Sequence, residues 1–378
     1  MRFEAAREIT QEREALERRW RDRLIPEPRL ATLVTAQGNA REPFHRWLPY
    51  RQGFSPGLVR LFLSEFSRGS LGGPILDPFS GSGTTTAECA RQRCRAVGVE
   101  AVPALVFVAA AKFEDAWHEI ETIDDVPSWE PIAERLTLPL HRAALMIAQS
   151  RRHTGSGALN RGAPSIAQSL RSVADMMRED LGQPMALINE TQCGDARTLE
   201  GVGDSSCNAM ITSPPYLARY DYARTNDPLE CVYRHWYGAP AASNQGRQLR
   251  AASNAHDSSC PTPEAQHRAT EEAHRVLVDS GHQRQAGAVR DYFSDMNRVL
   301  VTARRVLAPG APVWMVIGGV RLKDVYVATD LIIAEMAESV GFEIEAIRVA
   351  RDLNPIRRKF GSAGHLAPRE SALVLRNP

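Results

Sequence analysis

The chain has 378 residues, enough to bury a full core in one large domain with insertions or in two smaller ones, and its 43% hydrophobic and 24% charged residues describe an ordinary soluble protein. With 46 Lys and Arg against 45 Asp and Glu the net charge is +1, which excludes a global attraction to nucleic acid; such contacts would have to come from local basic patches. Six cysteines without a C-x-x-C pair, and an N-terminus with neither a signal-peptide pattern nor an apolar span, lead us to expect a reducing prokaryotic cytoplasm and no membrane.

Residues 2–24 are mostly charged, with Ile9, Leu16, Trp20 and Leu24 at helical spacing, so an amphipathic arm laid on the body of the protein is expected, within an N-terminal helical region 1–53. FSPGLVRLFLSEF (54–66) predicts a helix capped by Ser55 with Pro56 at its first position, and it opens a domain running from 54 to 378. The stretch ILDPFSGSGTTTAECA (75–90) then reads as strand, glycine turn and helix start: Gly81 and Gly83 relax the backbone, and the first helical turn carries hydroxyls. A phosphate-binding loop would place Lys and then Ser or Thr after the second glycine, whereas Gly83 is followed by Thr84 and Thr85. A dinucleotide fingerprint would need a third glycine where Thr86 and Ala87 stand. What fits is a nucleoside with a small zwitterionic end, its carboxylate received by the N–H groups of the helix start and its ammonium by Asp77.

CRAVGVE (94–100) is a second strand ending in Glu100, 17 residues after Gly83, where ribose hydroxyls would find a carboxylate. VPALVFVAAAKF follows as a helix, and two strand-to-helix units joined by a crossover predict a parallel sheet. Residues 114–190 interrupt the pattern as a helical insertion, in which Arg151, Arg152, His153 and Arg161 either touch phosphates or are solvated helix-end charges. CGDARTL (193–199) and CNAMITSPPY (207–216) restore the strands, with 208–212 buried. Residues 217–290 are a second insertion, a target-recognition segment or a lid; RYDYARTNDPLECVYRHWYG there interleaves Arg with Tyr and Trp, a mixture suited to phosphate, guanine and stacked bases. His256, Cys260, His267 and His274 in the same region lack paired ligand spacing, so no metal is expected. DYFSDMNRVLVTARRVLAPGAPVWMVIG (291–318) predicts helix, turn and strand, VATDLIIAEMAESVGFEIEAIRVA repeats helix and strand, and ESALVLR (370–376) closes with a last strand.

TSPPY (212–216) follows a strand on what should be the same carboxyl edge as the glycine loop, the edge where ligands bind. Two prolines fix the backbone and remove N–H donors, so carbonyls can face an aromatic exocyclic amino group while Tyr216 offers a flat face. DPFSGSGTT together with TSPPY closely resembles the S-adenosylmethionine-dependent DNA methyltransferases that modify exocyclic amino groups, the cytosine-N4 branch in particular, from about Phe54 to the C-terminus. The resemblance implies an α/β, Rossmann-like class I methyltransferase fold with a seven-stranded sheet, mostly parallel with an antiparallel last strand, and helical insertions. It implies S-adenosylmethionine as cofactor, bound by Asp77, Pro78, Phe79, Gly81, Ser82, Gly83, Thr84 and Thr85, with Asp77 at the methionine ammonium, Glu100 at the ribose and Asp195 at the adenine amino group. Ser213, Pro214, Pro215 and Tyr216 match the catalytic tetrapeptide. Many of these enzymes carry the tetrapeptide ahead of the glycine loop, the reverse of the order here, which leaves the position of the target-recognition segment open.

Such an enzyme would act on double-stranded DNA with the target base flipped out, and a cognate restriction endonuclease would be its partner. Cytosine's amino nitrogen is a poor nucleophile because its lone pair is delocalised into the ring. Hydrogen bonds to Ser213 and to the Pro214 carbonyl would hold it pyramidal and in line with the sulfonium methyl. Flipping costs a few kcal/mol, of which stacking on Tyr216 would offset roughly 1 to 3 kcal/mol. Ring-carbon methylation would need a Cys nucleophile, usually after a proline, whereas the adjacent pair here is reversed, Cys260 then Pro261. Adenine N6 methylation, RNA methylation and a non-catalytic nucleic-acid-binding module stand as alternatives.

Overall fold

The computed structural model describes residues 10–66, 72–115, 117–120, 126–154, 158–183, 185, 189–219, 222–238, 249, 267–323, 325–353 and 368–378. Residues 2–9 of the expected N-terminal arm, and most of the stretch 239–266 with His256 and Cys260, lie outside them. In chain order the elements are α1 (Gln11–Arg19), β1 (Leu24–Pro26), α2 (Pro56–Phe66), β2 (Ile75–Asp77), α3 (Thr84–Arg91), β3 (Ala96–Glu100), α4 (Pro103–Ala110), α5 (Glu130–Ala133), α6 (Pro139–Arg151), α7 (Ile166–Leu181), β4 (Glu190–Cys193), β5 (Ala209–Thr212) and α8 (Tyr222–Tyr237). They continue with α9 (Arg268–Asp279), α10 (Gln283–Val306), β6 (Pro312–Gly318), β7 (Val320–Leu322), β8 (Val325–Val327), α11 (Thr329–Ser339), β9 (Glu343–Asp352) and β10 (Arg369–Arg376). Two compact units result: Met1–Val34, Arg197–Tyr220 and Leu249–Pro378 form one, Thr35–Ala196 and Asp221–Gln248 the other.

In the first unit the strands lie in the order β1-β9-β10-β6-β5. β5 runs parallel to β6 and β1 parallel to β9, while β10 is antiparallel to both its neighbours. All seven residues of β6 (PVWMVIG) are buried, as an uninterrupted apolar run requires. The packing face of α10 is formed by Phe293, Met296, Leu300 and Ala303. Helix α1 is tied down by charge. The Glu272 carboxylate of α9 accepts the first-turn N–H groups of Gln11 and Glu12 at 3.0 and 2.9 Å, where the helix dipole favours an anion, Glu17 accepts from Arg369, and Arg19 pairs with Glu335 and Glu338.

The arm departs from expectation at its end. Helical spacing runs to Leu24, but α1 stops at Arg19, a 3-10 turn follows, and Leu24–Pro26 adds a parallel edge strand to β9, with the Glu27 N–H bonded to the Val349 carbonyl at 2.8 Å. Pro26 is tolerated because an edge strand leaves one row of N–H positions unpaired. Strand β1 is thus an addition that the expected sheet did not include, and β7 and β8 form a separate antiparallel ribbon.

In the second unit β2, β3 and β4 are parallel in the order β2-β3-β4, and α3 supplies the crossover from β2 to β3. Ser55 caps α2 as expected: its Oγ accepts the Gly57 N–H at 3.1 Å, and Leu58, Val59, Phe62 and Leu63 are buried along one face. Ser165 and Gln168 cap α7 reciprocally, each bond 3.2 Å. Residues of α4, α6, α7 and α8 share one hydrophobic cluster with Phe44 and Trp47. Asp180, fully buried near the end of α7, accepts from the Phe44 N–H, the Arg46 guanidinium and the Trp47 indole N–H at 2.6 to 3.1 Å, so this one carboxylate staples residues 44–47 to the helical insertion. The fold is α/β and Rossmann-like, mostly parallel with an antiparallel last strand. Among the described residues no helix is long and apolar enough to cross a membrane.

Candidate active site

Within the second unit the carboxyl ends of β2, β3 and β4 bring together the residues expected to bind the cofactor. Asp77 ends β2; its Oδ2 accepts from the Thr85 hydroxyl at 2.6 Å and its Oδ1 from the Phe79 N–H at 3.2 Å, so the carboxylate shapes the glycine turn from below. Gly81 and Gly83 have φ of +52° and +78°, backbone that side chains other than glycine's rarely adopt. A Cβ on Gly83 would stand 2.8 Å from Ala109 Cβ, and one on Gly81 2.7 Å from Tyr50 Cε1. Pro78, Ser82, Thr84 and Thr85 are buried and Phe79 is half-buried. No side chain caps α3 at Gly83, so the first turn presents main-chain N–H groups and threonine hydroxyls and no cation.

Glu100 closes this loop from the next strand. Its Oε2 accepts the Gly81 N–H and its Oε1 the Val102 N–H, both at 2.9 Å. Burial pushes its pKa up to about 7 against the pull of those backbone donors, with the Asp77 charge adding to the rise. The backbone at Ala101 also donates to this carboxylate, so of its four lone pairs one remains for a further donor. Cys193 lies opposite Glu100 in the β3–β4 ladder, and the Gly194 N–H donates to the Glu100 carbonyl at 2.9 Å, which sets the half-buried Asp195 one residue beyond that bond. Three acidic side chains and a cation-free helix start on one edge suit an uncharged nucleoside joined to a zwitterion and disfavour a phosphate. Tyr50, which packs on Gly81, escaped the sequence reading: it stands in the irregular segment before α2, where no periodicity marks it.

The aromatic run of α8 also belongs to this unit. Tyr233 and Tyr237 pack on Phe107, the Trp236 indole N–H donates to the Ala133 carbonyl at 3.3 Å, and the Arg142 guanidinium lies over the rings of Trp236 and Tyr237. These rings, expected as candidates for base stacking, pack on one another and on Phe107, with Tyr233 and Trp236 half-buried and Tyr237 43% exposed.

In the first unit β5 delivers the tetrapeptide. Thr212 is fully buried, Ser213 and Pro215 are half-buried, and Pro214 is buried. Tyr216 departs from expectation. Its ring is 9% exposed; it lies so close to Gly318 of β6 that a Cβ there would be 2.6 Å from Tyr216 Cε2, and the Arg219 guanidinium covers it 5.4 Å from the centroid. A free flat face for a flipped base is therefore not what this ring presents. Its hydroxyl donates to Glu370 Oε1 at 2.9 Å, and Glu370 Oε2 accepts from Arg351 Nε at 2.6 Å. Gly318, Glu370 and Arg351 sit opposite one another across β6, β10 and β9, which puts them in one cross-strand row. Burial, with the Glu370 charge, pushes the Tyr216 phenol well up. Glu370 and Arg351 were legible in sequence only as charges opening or closing apolar strands, a placement that demands partners without naming them.

No protein-family model matches the chain. It is similar to the type II methyltransferase M.AvaI of Nostoc sp. and of Anabaena variabilis, 24% identical over 472 aligned residues spanning 98% of this chain and 94% of the relative. It is also similar to the type II methyltransferase M.BsoBI of Geobacillus stearothermophilus, 22% identical across 92% of this chain and 88% of that one. Among solved structures, TrmN from Thermus thermophilus aligns with a TM-score of 0.36 and 14% identity over 89% of this chain and 52% of its own length. A SAM-dependent methyltransferase from Methanosarcina mazei aligns with a TM-score of 0.33 and 12% identity over 80% and 92%.

Proposed function

We propose that this protein is a site-specific DNA methyltransferase of a prokaryotic cytoplasm that moves a methyl group from S-adenosylmethionine to the N4 amino group of cytosine, as the modification half of a restriction–modification pair. The observation that carries the proposal is the pairing in one chain of a cation-free glycine turn under acidic strand ends with a Ser-Pro-Pro-Tyr segment whose serine is half-exposed at the end of β5. Near full-length similarity to two proteins named type II methyltransferases supports DNA as substrate. S-adenosylmethionine supplies an electrophilic methyl group when bound. Asp77 and the α3 start would hold its amino-acid end, Glu100 its ribose and Asp195 its adenine. Ser213 Oγ and the Pro214 carbonyl would orient the amino group of a flipped cytosine.

At four of the six cysteines thiol chemistry on a ring carbon is disfavoured: burial pushes the Cys89 thiol well up and those of Cys94, Cys207 and Cys231 up, which lowers the thiolate fraction a nucleophile needs. Residues 217–290 remain our assignment for target recognition or a lid. Methylation mapping of DNA from cells expressing the chain tests the proposal, with cells expressing Ser213→Ala as control. N4-methylcytosine confined to one short sequence and lost in the variant supports it; unmodified DNA in both counts against it.

A further inference from the structure

The Tyr216 ring is fixed by the fold at its hydroxyl and along one edge, and covered by one long side chain. The hydroxyl donates to Glu370 Oε1 at 2.9 Å, and the edge lies so near Gly318 that a Cβ there would be 2.6 Å from Cε2 and 2.7 Å from Cδ2. The cover is the Arg219 guanidinium, whose Cζ lies over the ring 5.4 Å from its centroid. Arg219 is exposed while Tyr216 is only 9% exposed, so the guanidinium stands between the ring and solvent. The chain is bent to put it there. The Arg219 N–H donates to the Tyr216 carbonyl at 3.3 Å, and Ala218 between them takes φ +51°, left-handed backbone that residues other than glycine adopt at a cost and that clusters at functional sites.

We propose that Arg219 is a DNA-binding residue with two positions: over the Tyr216 ring in the free protein, and on a backbone phosphate of the target strand once a flipped base has taken its place on the ring. This rests on the base-flipping methylation of DNA proposed above and goes beyond it by naming the group that the target nucleotide displaces. The magnitudes favour the exchange. A cation–π contact at an exposed site favours the covered ring only about 2- to 5-fold, whereas stacking a base on an aromatic ring is worth roughly 5- to 150-fold. The base therefore wins the ring. The displaced guanidinium has a new partner close by, because the base and its phosphates belong to one nucleotide, a sugar apart, and a guanidinium binds phosphate through paired N–H donors.

A structural cover alone does not account for this arrangement. An apolar side chain three residues after the ring would shield it without a charge, and a long Arg side chain gives up rotamer freedom by lying on it. Here the cover is a cation, exposed beside the tetrapeptide at the end of β5, and the ring beneath it is anchored from its far end by Glu370, which Arg351 Nε in turn holds at 2.6 Å. The ring therefore stays in place when the guanidinium leaves it. This also explains why a tetrapeptide ring suited to stacking shows no free face in the protein without DNA.

The test uses the full-length protein with S-adenosylhomocysteine, the cofactor without its transferable methyl group, and a duplex bearing the sequence that the wild type methylates. We expect Arg219→Ala to weaken duplex binding about 10-fold and to lower the slope of log affinity against log salt concentration by about one, with cofactor affinity unchanged. Arg219→Lys keeps the charge and should keep the slope. A readout independent of affinity is the Arg219 Nε–H proton resonance, identified by its absence in Arg219→Lys. In the free protein the Tyr216 ring current should shift it upfield, a shift that Tyr216→Leu removes, and adding the duplex to the wild type should remove it as well. An unchanged salt slope in Arg219→Ala, or an Arg219 resonance that keeps its upfield shift in the complex, overturns the role of Arg219 while leaving the methyltransferase assignment standing. A wild-type protein that neither binds nor methylates duplex DNA overturns both.

Discussion

Glu100 gives cofactor binding a pH signature that can be worked out from its surroundings. In the free protein its pKa is pushed up to about 7 by burial, against the Gly81 and Val102 N–H groups. Ribose hydroxyls donating to Glu100 favour the ionised form, so binding must expel the proton wherever the free carboxyl holds one. The sign follows: affinity for S-adenosylmethionine rises with pH up to about 7 and levels off above it. One unit below that value about one carboxyl in eleven is ionised and one unit above about ten in eleven, a difference of ~10-fold in affinity, or ~1.4 kcal/mol. Glu100→Gln removes the titration and should flatten the profile. Its amide NH₂ must also face one of the two backbone N–H groups, leaving a buried donor unsatisfied at a cost of about 1 to 3 kcal/mol. Calorimetric titration in two buffers of different ionisation enthalpy reads both affinity and protons released. A flat wild-type profile, or a wild-type slope retained in Glu100→Gln, refutes the assignment of Glu100 to the ribose.

Gly81→Ala should cost about 1 to 2 kcal/mol for its left-handed backbone and more for the overlap with Tyr50. Adding Tyr50→Ala should recover the overlap but not the backbone strain, as thermal unfolding of the single and double variants will show. Asp180→Ala strands three donors in the 44–47 staple and should lower stability in urea by about 3 to 5 kcal/mol; a loss below ~1 kcal/mol would mean that the staple is dispensable. Lys112 is 2% exposed and burial lowers its pKa from 10.5 to about 7, so between those values the unfolded chain holds the extra proton and stability rises with pH. The slope approaches ~1.4 kcal/mol per pH unit. Lys112→Met should lose that slope, and equal slopes in the two proteins would contradict the burial of a neutral amine.

The glycine turn was legible because its chemistry is local: strand, positive-φ glycines and helix start follow one another within 75–90, Glu100 ends a strand and Asp195 lies two residues past the end of one. Ser55 and Pro56 announced α2 in the same way. What could not be read were pairings between distant segments. The row Gly318, Glu370, Arg351 exists only once β6, β10 and β9 are in register, so nothing near Tyr216 in sequence shows that its hydroxyl has a buried partner. Strand β1 was hidden for a related reason: Leu24 continues a helical apolar spacing, and only the open edge of β9 turns Leu24–Pro26 into a strand. The aromatic interleaving in α8 looked like a nucleic-acid surface, and composition could not show that Tyr233 and Tyr237 also pack on Phe107.

The central claim is the identity of the product. Purified protein incubated with duplex DNA and methyl-labelled S-adenosylmethionine, followed by digestion to nucleosides and separation by mass, reads it directly, with Ser213→Ala as the matched control. N4-methylcytosine, formed by the wild type and largely lost in Ser213→Ala although cofactor still binds, is the predicted result. Label in N6-methyladenine alone would contradict the base while keeping the amino-group chemistry, and label in 5-methylcytosine would contradict both.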